Sequence, residues 1–193
     1  MLSQLWPALR INIFLTILLG VGYPLAVTGI SQLVFPHQAN GSLIVKGDQV
    51  IGSELIGQNF TKPEYFQPRP SAAGNDGYDP TASGGFNYGP TNQKLIDRVK
   101  ASVAKFNKEN PDYHGPIPAD LLTGSGSGLD PDISPASAQA QAFRVAKARG
   151  VSVDQINQLV AQYTKSPDLG LLGEPRVNVL KLNLALNEQY PEK

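Results

Sequence analysis

The sequence predicts an α+β fold class: one N-terminal transmembrane helix followed by a single extracytoplasmic α+β domain with a long ordered loop. Three observations predict it. From Ile11 to Phe35 the chain is apolar on all faces and carries no charge. Residues 36–193 then mix short β-branched runs with segments of helical period. Inside them, Gln58 to Pro90 is rich in proline and glycine and also in aromatic side chains.

The apolar run comes first. A bilayer core needs about 20 apolar residues in a helix, and Ile11–Phe35 exceeds that. Its Asn12, Thr16, Thr28, Ser31 and Gln32 are tolerable because an amide or hydroxyl costs far less in lipid than a charge. A cleaved signal core is shorter, about 7–15 residues, so an uncleaved anchor is expected. Arg10 and the α-amino group precede the run, and no lysine or arginine follows it until Lys46. Positive charge stays cytoplasmic. The expected organisation is a short cytoplasmic head (1–10), a transmembrane helix (11–35) and an extracytoplasmic, periplasmic domain (36–193). Pro24 lacks an N–H and predicts a kink near Gly20–Pro24. Gly22 and Ala26, four apart, form a small-residue pair where a second helix can pack closely.

Beyond the anchor, Ser42–Val45, the turn Lys46-Gly47-Asp48 and Gln49–Gly57 read as a β-hairpin. The segment Gln58–Pro90 cannot hold long helices or central strands. Disordered linkers are poor in aromatics, and Phe60, Tyr65, Phe66, Tyr78, Phe86 and Tyr88 lie here; an irregular loop pinned by aromatic side chains is expected. Leu95, Val99 and Val103 recur at helical spacing within Thr91–Asn107. Ser134-Pro135 is an N-cap and first-turn pair, and Gly150 a stop. Ser152 caps a further helix with Ile156, Leu159, Val160 and Tyr163 on one face. Asn178–Asn187 is ambiguous: its leucines alternate as in a strand, while Asn178 reads as a helix cap. Helix is the reading adopted.

Chemistry is sparse. The net charge is zero and 17% of residues are charged, so no nucleic-acid footprint is present. Cysteine is absent, which excludes a disulfide frame, a thiolate metal site, a cysteine nucleophile and a lipoprotein anchor. His37 and His114 stand in different segments without a matching carboxylate pattern, and no G-x-S-x-G or phosphate loop occurs. Catalytic and metal residues are therefore expected to be none. Asp130 and Asp132 read as a turn before a helix. Arg69, between Pro68 and Pro70, sits on stiffened backbone and reads as a residue that holds the loop or contacts a partner, together with Phe60, Tyr65 and Phe66.

Several long motifs resemble the KdpC family, the C subunit of the bacterial Kdp potassium-transporting P-type ATPase. They are YPLAVTGISQLVFPHQANGSLI, GSELIGQNF, YFQPRPS, SGGFNYGPTN, SGLDPDISPASAQ, RVAKARG and VNVLKLNLAL, in order across nearly the whole chain. Phe86 departs from the pattern, where a small polar residue is expected. The resemblance implies an accessory, non-catalytic subunit of a high-affinity potassium importer in the bacterial inner membrane. Its implied partners are a potassium-channel-like subunit, a P-type ATPase subunit and a small single-span subunit, with membrane lipid around them. It also implies a catalytic-chaperone role that raises the ATPase subunit's affinity for ATP, carried by a glutamine that here is Gln141. No firmly bound cofactor is implied; ATP enters only in a ternary complex with the ATPase subunit. The charge argument places Gln141 outside the cell, which fits direct ATP contact poorly. The bland reading of Gln141 is an exposed, hydrogen-bonding helix residue. A different class of function, a stand-alone tethered module that binds or hydrolyses a ligand, is the alternative that the aromatic loop suggests.

Overall fold

The structure, a computed structural model, describes residues 2–191. Met1 of the expected head and Glu192 and Lys193 of the expected domain lie outside them. The contacts divide the chain into two compact units, Met1–Ser53 and Glu54–Lys193. The hairpin therefore groups with the N-terminal helix, not with the domain expected to begin at residue 36.

In the first unit, α1 (Leu5–Ile17) continues through a π-helical turn at Leu18–Gly22 into α2 (Tyr23–Val34). The resulting stretch of 30 residues is long and apolar enough to cross a membrane. It rises about 45 Å at about 1.5 Å per residue, more than the roughly 30 Å of a bilayer core. A 3-10 turn at Leu2–Gln4 leads into α1 at Leu5, so Leu5–Arg10, expected in a separate head, are α-helical. A π-helical turn, Leu18–Gly22, stands just before Pro24, where a kink is expected: Pro24 cannot donate to the turn before it, and a widened turn accommodates its ring. Pro36 disfavours helix at the residue before it. Phe35 accordingly leaves the helix at φ −133°, one residue before the expected end. A short α3 (Pro36–Ala39) follows. The carboxamides of Gln32 and Asn40 bond to each other in both directions across this break, at 3.2 and 3.3 Å.

Strands β1 (Leu43–Lys46) and β2 (Gln49–Ser53) pair antiparallel. Gly47, at φ 62°, takes the first turn position, where glycine carries no steric penalty. Ile51 is the extra residue of a bulge between the Ile44 and Val45 pairings. Pairing stops at Ser53, short of the expected Gly57.

In the second unit, residues 54–92 contain no helix or strand. Helix α4 (Gln93–Glu109) starts at Asn92, whose side chain accepts the Lys94 N–H. Strand β3 (Asp132–Ile133) leads into α5 (Pro135–Arg149), capped by Ser134 and closed by Gly150 at φ 66°. Asp120 braces this N-terminus, accepting the Ser134 N–H at 2.7 Å and the Ser137 hydroxyl at 2.6 Å. Ser152 and Gln155 form a reciprocal capping box at the start of α6 (Val153–Gln162). Strands β4 (Thr164–Lys165) and β5 (Arg176–Asn178) precede α7 (Val179–Gln189). The ambiguous leucine run is a helix capped by Asn178. The sequence reading missed a small antiparallel sheet, ordered β3-β5-β4; strands of two or three residues are too short to show a period of two.

The core of this unit joins Phe66, Val145, Ile156, Leu159, Val177 and Leu182. Helix α5 is covered on most sides, with Ala138, Ala140, Ala142 and Ala146 letting neighbours approach closely. Gly128, at φ 68°, has no room for a side chain: a Cβ would lie 2.5 Å from the Gly84 carbonyl oxygen and 2.9 Å from the Ala73 nitrogen. We expect Gly128→Ala to cost about 2 kcal/mol or more. Gly126 faces open space without a positive φ, so Gly126→Ala should be close to neutral. Urea unfolding of the two variants checks the difference.

Candidate functional site

Five consecutive peptide carbonyls, from Pro63 to Gln67, bond to side chains of α5 and α7. Arg144 donates from Nη1 to the Pro63 oxygen at 2.5 Å and the Tyr65 oxygen at 2.9 Å. Arg149 donates from Nε to the Glu64 oxygen at 3.1 Å. Asn183 donates to the Phe66 oxygen at 2.9 Å and accepts the Phe66 N–H at 2.9 Å. Gln141 does the same for its neighbour, donating to the Gln67 oxygen at 3.1 Å and accepting the Gln67 N–H at 2.8 Å. A carboxamide carries donor and acceptor in one plane, so each of these two side chains pairs a residue as an adjacent β-strand would.

Phe66, between the two bridges, is fully buried in the core. Tyr65 packs on Phe60 with ring centroids 5.5 Å apart, and the Arg149 guanidinium lies 4.9 Å from the Tyr65 ring. Arg144 has a pKa pushed down to about 10, first by burial, with Glu109 and Glu64 opposing. It stays charged at neutral pH. Its Nε donates to Asn110 at 3.0 Å and its Nη2 to Gln141 Oε1 at 2.7 Å.

Arg69 anchors the next part of the segment through an ion pair with Asp130 at 2.8 Å. The Tyr78 hydroxyl donates to the Arg69 carbonyl at 2.5 Å. Burial, then the nearby Asp130, raise the Tyr78 pKa above its ordinary value, so this hydroxyl keeps its proton. Ser71 donates to the Gly128 carbonyl at 2.6 Å and accepts the N–H groups of Ala73 and Tyr78. A cleft of about 350 Å³ lies alongside, lined by Phe60, Gln67, Arg69, Lys105, Glu109 and Gln141 among others.

Phe60, Tyr65, Phe66, Arg69 and Gln141 thus belong to one unit and, apart from Arg69, to one connected network. Gly22 and Ala26 belong to the helix of the other unit and are exposed there. The bland reading of Gln141 is corrected: it is 2% exposed, because it lies under the segment it binds. Both amide hydrogens are used, the second on the Ser137 carbonyl at 3.3 Å, and the oxygen accepts from two donors.

The sequence matches the family described as K+-transporting ATPase, c chain, over residues 5–188. The chain belongs to the KdpC family. Its relatives include the potassium-transporting ATPase KdpC subunit of Rhodospirillum rubrum, 56% identical across 99% of this chain and 98% of the relative. That of Caulobacter vibrioides is 57% identical across 99% and 96%, and that of Beijerinckia indica 54% across 99% and 96%. In this KdpC chain, sequence reasoning passed over Asn183, Arg144, Arg149 and Asp120. One signal was available: Asn183 is a polar residue at a core position of a leucine-rich helix, and a buried polar group needs a partner.

Replacing Asn183 by leucine leaves the Phe66 N–H and carbonyl buried without partners. At about 1–3 kcal/mol for each unsatisfied group, Asn183→Leu should cost about 2–6 kcal/mol. Urea unfolding measures the loss, and limited proteolysis should show faster cleavage within residues 58–78.

Proposed function

We propose that this chain is an accessory, non-hydrolysing subunit of an ATP-driven potassium importer. One helical span sets it in the bacterial inner membrane, N-terminus in the cytoplasm and residues 36–193 outside. Its partners are a potassium-channel-like subunit, a P-type ATPase subunit and a small single-span subunit, and it stabilises their assembly. Family membership supports this reading, as does the one apolar helix. The observation that carries the assembly role is the inward use of the polar groups: Gln141, Arg144, Arg149 and Asn183 hold the chain's own backbone instead of presenting themselves to a reactant.

Raising the ATPase subunit's affinity for ATP, in a ternary complex, is the second reading. The cleft that Gln141 lines with Lys105 and Phe60 favours it. The two readings differ in what Gln141→Ala does to the purified complex. As a positioning residue, Gln141 gives a lower thermal midpoint together with any change in the KM for ATP, and Gln141→Glu, which keeps the acceptor for Gln67 and Arg144, rescues part of both. A raised KM with an unchanged midpoint assigns Gln141 to ATP contact.

Gly22 and Ala26 mark the face of the span that packs on a partner helix. Gly22→Leu should leave membrane insertion intact and lower copurification of the larger subunits severalfold. Recovery of the wild-type chain alone from mild detergent, free of any large transport subunit, overturns the accessory-subunit reading.

A further inference from the structure

We propose that the turn Leu169–Leu172 is a docking prong that seats in an uncharged apolar pocket on the water-facing surface of another subunit of the same ATPase. The proposal rests on the reading of this chain as a subunit. Leu169 is 90% exposed, Leu171 87% and Leu172 63%. Among the described residues of the second unit, no other large apolar side chain is as exposed as these. Three leucines within four residues, held in water, contribute nothing to the core of their own domain.

The turn is fixed and not a loose end. Asp168 and Leu172 exchange both backbone hydrogen bonds, at 2.8 and 2.9 Å, and the Gly170 N–H donates to the Pro167 carbonyl at 3.0 Å. The Asp168 carboxylate is held by Lys165 at 2.9 Å and Arg176 at 3.2 Å, and Arg176 also reaches Asp132 at 3.4 Å. Leu169 adopts φ 55°, a conformation that glycine or asparagine takes with less strain. A leucine kept there, with its side chain out in solvent, fits a projecting contact residue. A rigid apolar tip also loses little freedom when it binds.

The charges around the turn select the occupant. Segments that dip into lipid carry free basic groups or tryptophan and tyrosine at their flanks. Here Lys165 and Arg176 are engaged with Asp168 and Asp132, Glu174 follows the tip two residues after Leu172, and residues 165–176 contain no tryptophan or tyrosine. A second copy meeting tip to tip about a two-fold axis would bring both Glu174 carboxylates to the rim of the contact with no free basic group to meet them, since Lys165 and Arg176 are already engaged. A different protein with an uncharged apolar pocket meets neither obstacle, and an apolar tip without charge fits the water-excluded, charge-depleted core of such an interface.

The chain contains no cysteine, so Leu171→Cys gives a unique site for a thiol-directed photocrosslinker in the intact complex. Illumination should join this chain to a larger protein subunit. Leu171→Asp should weaken copurification about 10-fold or more, with the thermal midpoint of the isolated chain unchanged because the side chain is exposed. An adduct with lipid only, an adduct with a second copy, or no adduct in complexes that otherwise assemble overturns the prong and leaves the accessory-subunit reading standing. Failure of the wild-type chain to copurify with any subunit overturns both.

Discussion

The peptide groups from Pro63 to Gln67 have no strand beside them, yet they pass over a core that buries Phe66 completely. An unpaired peptide group away from water costs about as much as the hydrogen bond it lacks. Burying the phenylalanine therefore commits the chain to supplying partners for its neighbours, and α5 and α7 supply them from side chains. Two of the four residues involved must match a donor and an acceptor at once, and only asparagine and glutamine can do so with a neutral planar group. The other two must reach several carbonyls from one point, which suits the forked donors of arginine better than the single ammonium of lysine.

This arrangement makes distant elements depend on one another. Arg144 bonds Pro63, Tyr65, Gln141 and Asn110. Asn110 in turn donates to the Phe106 carbonyl and closes the end of α4. Arg149 reaches Asn187 and the Tyr190 carbonyl at the end of α7. Burying a guanidinium among neutral oxygens is unfavourable, as the depressed pKa of Arg144 records, and the offset comes from satisfying nearly every donor. A network of this kind is cooperative: removing one member strands the others in a poor dielectric. The segment, three helices and the chain's C-terminal turn are held as one unit by a few polar side chains.

Local signals carried most of the helices into view. Ser134-Pro135, Gly150, Ser152 and Asn178 act within one turn of themselves, so their meaning is readable from a few residues. The three-stranded sheet was hidden because its pairings, Asp132 with Asn178 and Thr164 with Val177, join short segments far apart in sequence. Gln141 was hidden for a related reason. On an alanine-rich helix nothing nearby tells whether its polar side chain faces water or another part of the chain. The KdpC motifs located it without describing its surroundings. Phe86, noted as a departure from those motifs, finds its place through two separate residues. Arg98 stacks over its ring at 4.1 Å, and a Cβ on Gly124 would lie 2.6 Å from it, so the absence of a side chain at Gly124 admits the larger one at Phe86.

The bonding capacity of one side chain bears on how Gln141 acts. A carboxamide offers two hydrogens and two lone pairs. Here the hydrogens go to the Gln67 and Ser137 carbonyls, and the oxygen accepts from Gln67 and Arg144. A nucleotide could engage this amide only by displacing one of those partners, which would leave a buried peptide group or a buried guanidinium short of a bond. That loss would have to be repaid at the new contact, in a cleft whose basic Arg69 and Lys105 are matched by the acidic Glu109 and Asp76. The less costly route from Gln141 to any partner runs through what it holds: it sets the path of Gln67, and so the placement of Pro68, Arg69 and Pro70 at the cleft wall. On this argument a change at Gln141 alters the surface that a partner meets, and its influence on the complex travels through the shape of residues 63–70.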